Sequence, residues 1–182
     1  LQDFLEAHDD KPVIAQNPVQ PKWSAPARPR YKANFDGALF KSSNSASLGV
    51  IVRDTNGTVI GALSAQVSLP QSVAMVEALA CRRVVQFAVE IGLHEVIFEG
   101  DAAVVINAIS KGSANQSLYG HIVDDVLGQA SLLHFSDFCY VPRSCNSVAN
   151  ALAKRAKTGP ELQVWLEDCP EDIIPLVLGD VS

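Results

Sequence analysis

From Tyr31 onward the chain alternates, with Tyr31, Ala33 and Phe35 set against Lys32, Asn34 and Asp36. A period of two predicts a strand. LGVIVRD and VIGALSAQV follow as apolar runs joined by DTNGT, where Asn56-Gly57 is expected to supply the positive φ angles of a tight hairpin turn. These three strands read as an antiparallel meander. Pro70 and Ser72 then open a helix that Gly92 closes, and Val73, Val76, Ala80, Val84, Phe87 and Ile91 form its apolar stripe. EVIFEG is a short strand, AAVVINAIS a helix stopping at Gly112, and a third helix runs from about Leu118 to Leu133. HFSDFCYV is a fifth strand, and Asn146 caps a last helix, SVANALAKRAK. The order β-β-β-α-β-α-α-β-α predicts an α/β fold, one mixed sheet with helices on both faces.

The flanks differ from this body. Residues 1–30, with prolines at 12, 18, 21, 26 and 29, read as a linker or N-terminal wrap, and Trp23 is the residue expected to pin it to the domain. Residues 31–157 form the expected domain, and residues 158–182 an acidic tail. In that tail Trp165, Ile173, Ile174, Leu176 and Leu178 are apolar enough to dock or to meet a partner. Charge sharpens the division. The net −6 lies wholly in 158–182, which holds Glu161, Glu167, Asp168, Glu171, Asp172 and Asp180 and no base. A neutral body argues against tight autonomous nucleic-acid binding and leaves room for a local basic patch. Cys81, Cys139, Cys145 and Cys169 show neither a CxxC pair nor zinc-ligand spacing, so they read as free thiols in a reducing compartment. No apolar run approaches the ~20 residues of a membrane span. The first residues lack signal-peptide character, and the chain, which opens without Met, is read as an intracellular fragment, nuclear or cytoplasmic.

Three acids do not suit a core. Asp36 stands inside a strand beside Gly37, where a ligand would need close backbone approach. Glu77 falls on the apolar arc of its helix, where a lone carboxylate costs several kcal/mol or takes up a proton. Asp101 ends the fourth strand, at the edge where α/β sheets bind ligands. Singly, these acids read as well as a turn residue, a partner of an Arg, and a helix N-cap. Together they form a hard oxygen set suited to Mg²⁺.

Taken in order, KANFDGA, LGVIVRDTNGTVIGA, AMVEALACRRVVQFAVEIG, VIFEGDAAVVINAI and YVPRSCNSVANALAKRA resemble the ribonuclease H family. The resemblance covers roughly residues 20–180. It is strongest to the plant ribonuclease H-like domain at the end of non-LTR retroelement reverse transcriptases and to that domain's free-standing relatives. It implies a five-stranded sheet, three strands antiparallel and the other two parallel to the first. It also implies hydrolysis of the RNA strand of RNA/DNA hybrids with two Mg²⁺ ions, Mn²⁺ being a possible substitute. Asp36 would bridge the ions, Glu77 and Asp101 would hold the one beside the leaving oxygen, and Asn150 stands where the family has a fourth acid. Arg143, Lys154 and Arg155, with Lys157, are the candidate phosphate contacts. The family's mobile His has no counterpart, and Val73 and Ala74 replace its groove-reading Asn pair. Three functions are compatible with the chain: this endoribonuclease, a weak or inactive module that binds nucleic acid or protein, and an exonuclease of the same superfold.

Overall fold

The computed structural model describes residues 17–68, 72–112 and 119–182. The meander comprises β1 (Tyr31–Phe40), β2 (Ser45–Arg53) and β3 (Val59–Val67). At its second turn only Gly57 takes a positive φ, +76°. Asn56 does not, because the Gly57 amide bonds back to the Asp54 carbonyl at 3.0 Å and the Asp54 carboxylate accepts from the amides of Asn56 and Thr58. The connection is thus a three-residue loop ending in a left-handed glycine rather than a two-residue turn.

Helix α1 (Val73–Glu90) starts at Ser72, whose hydroxyl accepts from the Met75 amide, and ends before Gly92 at φ +82°. Pro70 lies outside the described residues. There follow β4 (Glu95–Gly100), α2 (Ala103–Lys111), α3 (Gly120–Ala130), β5 (Phe135–Tyr140) and α4 (Ser147–Arg155). Leu118, the expected start of the third helix, also lies outside the described residues, and the helix ends short of Leu133.

Among the described residues the sheet has six strands, not five, in the order β5-β4-β1-β2-β3-β6. β4 and β5 run parallel to β1 as expected. The addition is β6 (Leu162–Leu166), antiparallel to β3, followed by α5 (Ile174–Val181). The segment expected as an acidic tail therefore completes the sheet and part of its cover.

Each face carries its own apolar cluster. Ala33, Phe35, Leu48, Val50 and Leu63 pack under α1, α2 and α3. Ile51 and Ala62 pack under Val148, Ala149 and Leu152 of α4 and Ile173 and Val177 at α5. On that second face the polar alternates Lys32, Asn34, Asp36, Ser47, Arg53 and Ser64 are all buried. Trp23, buried in the N-terminal strap, stacks its ring 3.9 Å from the Arg53 guanidinium, which bonds Asp180 of α5 at 2.7 Å.

Candidate active site

Two glycines let the helices reach the sheet at Asp36. A Cβ on Gly37 would meet Val76 of α1 at 2.5 Å, so α1 crosses β1 closely enough to bring Glu77 to its neighbour. Gly37 thus admits a helix, where the sequence suggested a ligand. Gly49 is the cross-strand partner of Asp36. A Cβ there would overlap the Ala149 carbonyl and the Ala153 amide, so α4 also lies directly on the sheet. Asp101 directly follows the end of β4, the parallel neighbour of β1, so it stands beside Asp36 at the same end of the sheet.

Oxygens of Asp36, Glu77 and Asp101 consequently lie within 4.8 Å of one another. Oxygens sharing one Mg²⁺ span up to ~4.2 Å, so a small inward turn of the side chains suffices to close on an ion. Asp36 is fully buried and Glu77 nearly so. The Gly37 amide donates to both, at 3.0 Å to Asp36 Oδ1 and 3.3 Å to Glu77 Oε2. One amide does not neutralise two carboxylates. Burial, reinforced by Asp36 and Asp101, pushes the Glu77 carboxyl up to about 9, and burial also raises Asp36, against the hydrogen bond from Asn150. In the protein alone Glu77 therefore holds a proton at neutral pH. A divalent cation fits this donor set, being hard and supplying the missing positive charge.

Asn150, on α4, donates from Nδ2 to Asp36 Oδ2 at 2.7 Å, so the amide stands beside the trio. Arg143 donates from Nε to Asp101 Oδ2 at 3.0 Å while its side chain stays 61% exposed. Asp101 makes no cap bond to α2, whose N-cap is Ala102. Lys154 is exposed in the last turn of α4, where the helix dipole favours a cation. Arg155 is engaged elsewhere. Its guanidinium bonds Asp172 at 3.1 Å and Gln163 at 2.9 Å and lies over the Trp165 ring, tying β6 to α4 rather than facing a phosphate.

In the sequence Asn146 reads as a helix cap and Asn34 as a polar alternate of the first strand. Asn146 occupies the N-cap position of α4 without a side-chain cap bond. Its amide instead donates to the Phe35 carbonyl and accepts from Asn34. The usable signal was the polar alternation Lys32, Asn34, Asp36, but alternation does not say whether the polar side is wet or covered.

Residues 34–156, more than half of the chain, match the reverse transcriptase-like family model. No curated protein matches the chain. Among solved structures, ribonuclease H1 of the halophilic archaeon Halobacterium salinarum NRC-1 is 21% identical with a TM-score of 0.65, over 70% of this chain and 96% of that one. The N-terminal RNase H domain of a Mycobacterium tuberculosis protein is 19% identical with a TM-score of 0.64, over 70% and 92%. LC11-RNase H1, isolated from compost by a metagenomic approach and crystallised with an RNA/DNA hybrid, is 17% identical with a TM-score of 0.62, over 69% and 95%. At such identities the shared feature is the fold. The chain belongs to the reverse transcriptase-like family and carries a ribonuclease H-like domain.

Proposed function

We propose that this protein is a metal-dependent endoribonuclease that hydrolyses the RNA strand of RNA/DNA hybrids. The observation that carries the reading is the convergence of Asp36, Glu77 and Asp101 from three separate elements. Only Asp101 has a cationic partner among the described residues. Asp36, Glu77 and Asp101, with Asn150 beside them, would hold two Mg²⁺ or Mn²⁺ ions, which when bound neutralise the phosphodiester and lower the pKa of the attacking water.

The chain's own groups do the rest. Asp36 is the central ligand, fixed by the Gly37 amide and the Asn150 amide on its two oxygens. Glu77 must release its proton to serve as a ligand. To ligate, Asn150 must present Oδ1 where it now presents Nδ2, and it brings no charge, so its ion is held more weakly than a fourth carboxylate would hold it. Arg143 leaves part of its fork in solvent beside Asp101, placed to meet a backbone phosphate. The hybrid carried by LC11-RNase H1 and the duplex DNA carried by a foamy viral protease-reverse transcriptase support nucleic acid as the partner.

The test is cleavage of a hybrid labelled on its RNA strand, in Mg²⁺ and then Mn²⁺, by the wild-type chain and by Asp36→Asn. Divalent-dependent RNA cleavage by the wild type alone is expected. Equal cleavage by both, or cleavage that survives chelation, contradicts the assignment. The uncharged Asn150 and the Arg143 already paired with Asp101 favour a second reading, a binding module. Hybrid binding with no cleavage in either metal is its signature.

A further inference from the structure

The strongest unexplained feature is a line of buried amides behind Asp36. An indole N–H can only donate. Trp23 Nε1 donates to Asn34 Oδ1 at 3.1 Å, which leaves Asn34 Nδ2 to act as donor. It meets Asn146 Oδ1 at 3.1 Å and Glu99 Oε1 at 3.3 Å. With its oxygen so engaged, Asn146 donates from Nδ2 to the Phe35 carbonyl at 3.0 Å. Trp23, Asn34 and Asn146 are 4%, 0% and 1% exposed. Turning either amide over would set donor against donor where no water can intervene. The indole thus fixes the sense of the whole relay.

Its last bond is placed where it matters. The β1–β4 pairing ends at Asn34–Glu99, so the Phe35 carbonyl lies past the last paired residue, and Asn146 satisfies it. That carbonyl belongs to the peptide from which Asp36 departs. One helical turn after Asn146, on the same face of α4, Asn150 grips the Asp36 carboxylate. One amide holds the backbone of Asp36 and the other its side chain.

We propose that Asn146 is a positioning residue for the metal site, oriented by Asn34 and Trp23, and that the N-terminal strap is thereby part of the frame of that site. The proposal rests on the metal-site reading given above. Partners that orient metal ligands typically change metal affinity 10–100-fold when removed.

The experiment is a double-mutant cycle on the full chain, read as Mn²⁺ affinity from the electron paramagnetic resonance signal of free Mn²⁺. Asn146→Ala is expected to weaken Mn²⁺ binding about tenfold in the wild-type background. In an Asn150→Ala background the same change is expected to cost less than about twofold, because the two amides clamp one carboxylate between them, Asn146 through the Phe35 carbonyl and Asn150 through Asp36 Oδ2, and neither fixes it alone. If Asn146→Ala fails to fold, Trp23→Phe takes its place in the cycle, since it keeps an aromatic ring in the strap and removes the indole donor. Equal losses in both backgrounds, or no loss in either while the wild type binds Mn²⁺, overturn the positioning role alone. A wild-type chain that takes up no Mn²⁺ overturns the metal-site reading and this proposal with it.

Discussion

Glu77 shows most plainly what a single residue can disclose. Its place on an apolar helix arc marked it in the sequence as a buried acid lacking a partner, and the structure buries it against Asp36. Folded and without metal, it keeps its proton to about pH 9, whereas an ordinary glutamate gives it up near 4.5. Across that window the folded state binds more protons than the unfolded one, so this group's contribution to stability falls as pH rises. Urea midpoints of the metal-free protein should therefore decline between pH 5 and 9 more steeply for the wild type than for Glu77→Gln. Parallel profiles would show that Glu77 ionises normally. Asn150 gives a second prediction. Asn150→Asp replaces a donor 2.7 Å from Asp36 with a like charge, lowering metal-free stability at neutral pH. It also tightens Mg²⁺ binding by about tenfold, the equivalent of 1.4 kcal/mol. Superimposable Mg²⁺ titrations would place Asn150 out of reach of the ions. Asn34 and Asn146 were not legible in this way, because a buried amide and a solvated one look alike in a strand or cap pattern.

Among the elements, the crossing of α4 over β2 is the contact that delivers Asn150 to Asp36, and it depends on Gly49. Gly49→Ala forces the helix outward. Overpacking of this kind costs about 1–3 kcal/mol, and here the thermal midpoint and the Mg²⁺ affinity should drop together. A loss of stability with unchanged affinity would mean that α4 adapts without moving Asn150. The meander, α1 and the strand before Asp101 were legible because their periods are long and their punctuation is clear. β6 was not, since LQVWL is short, lies among acids, and becomes a strand only by pairing with the free edge of β3. Arg155, expected at a phosphate, belongs to that addition through Asp172, Gln163 and Trp165.

Over the whole molecule, the two flanks meet on the α4 side of the sheet, the face that carries Asp36. Lys22 of the strap bonds the Gly179 carbonyl, and Trp23 and Asp180 enclose Arg53. The excess acid of residues 158–182 is thus partly structural, with Asp180 and Asp172 answering Arg53 and Arg155. Removing one partner of a buried ion pair costs about 3–5 kcal/mol, so Asp180→Ala should lower the unfolding free energy by that order in chemical denaturation. A change below about 1 kcal/mol, the range of an exposed pair, would show that water reaches Arg53. The flanks were legible as composition and as a single pinning Trp, but their meeting was not, because it joins residues more than a hundred positions apart. The account as a whole turns on where a metal ion sits. Anomalous diffraction from crystals grown in Mn²⁺ measures that directly. The account predicts a peak within coordination distance of oxygens from Asp36, Glu77 and Asp101. Manganese bound elsewhere, with these three carboxylates bare, would contradict it.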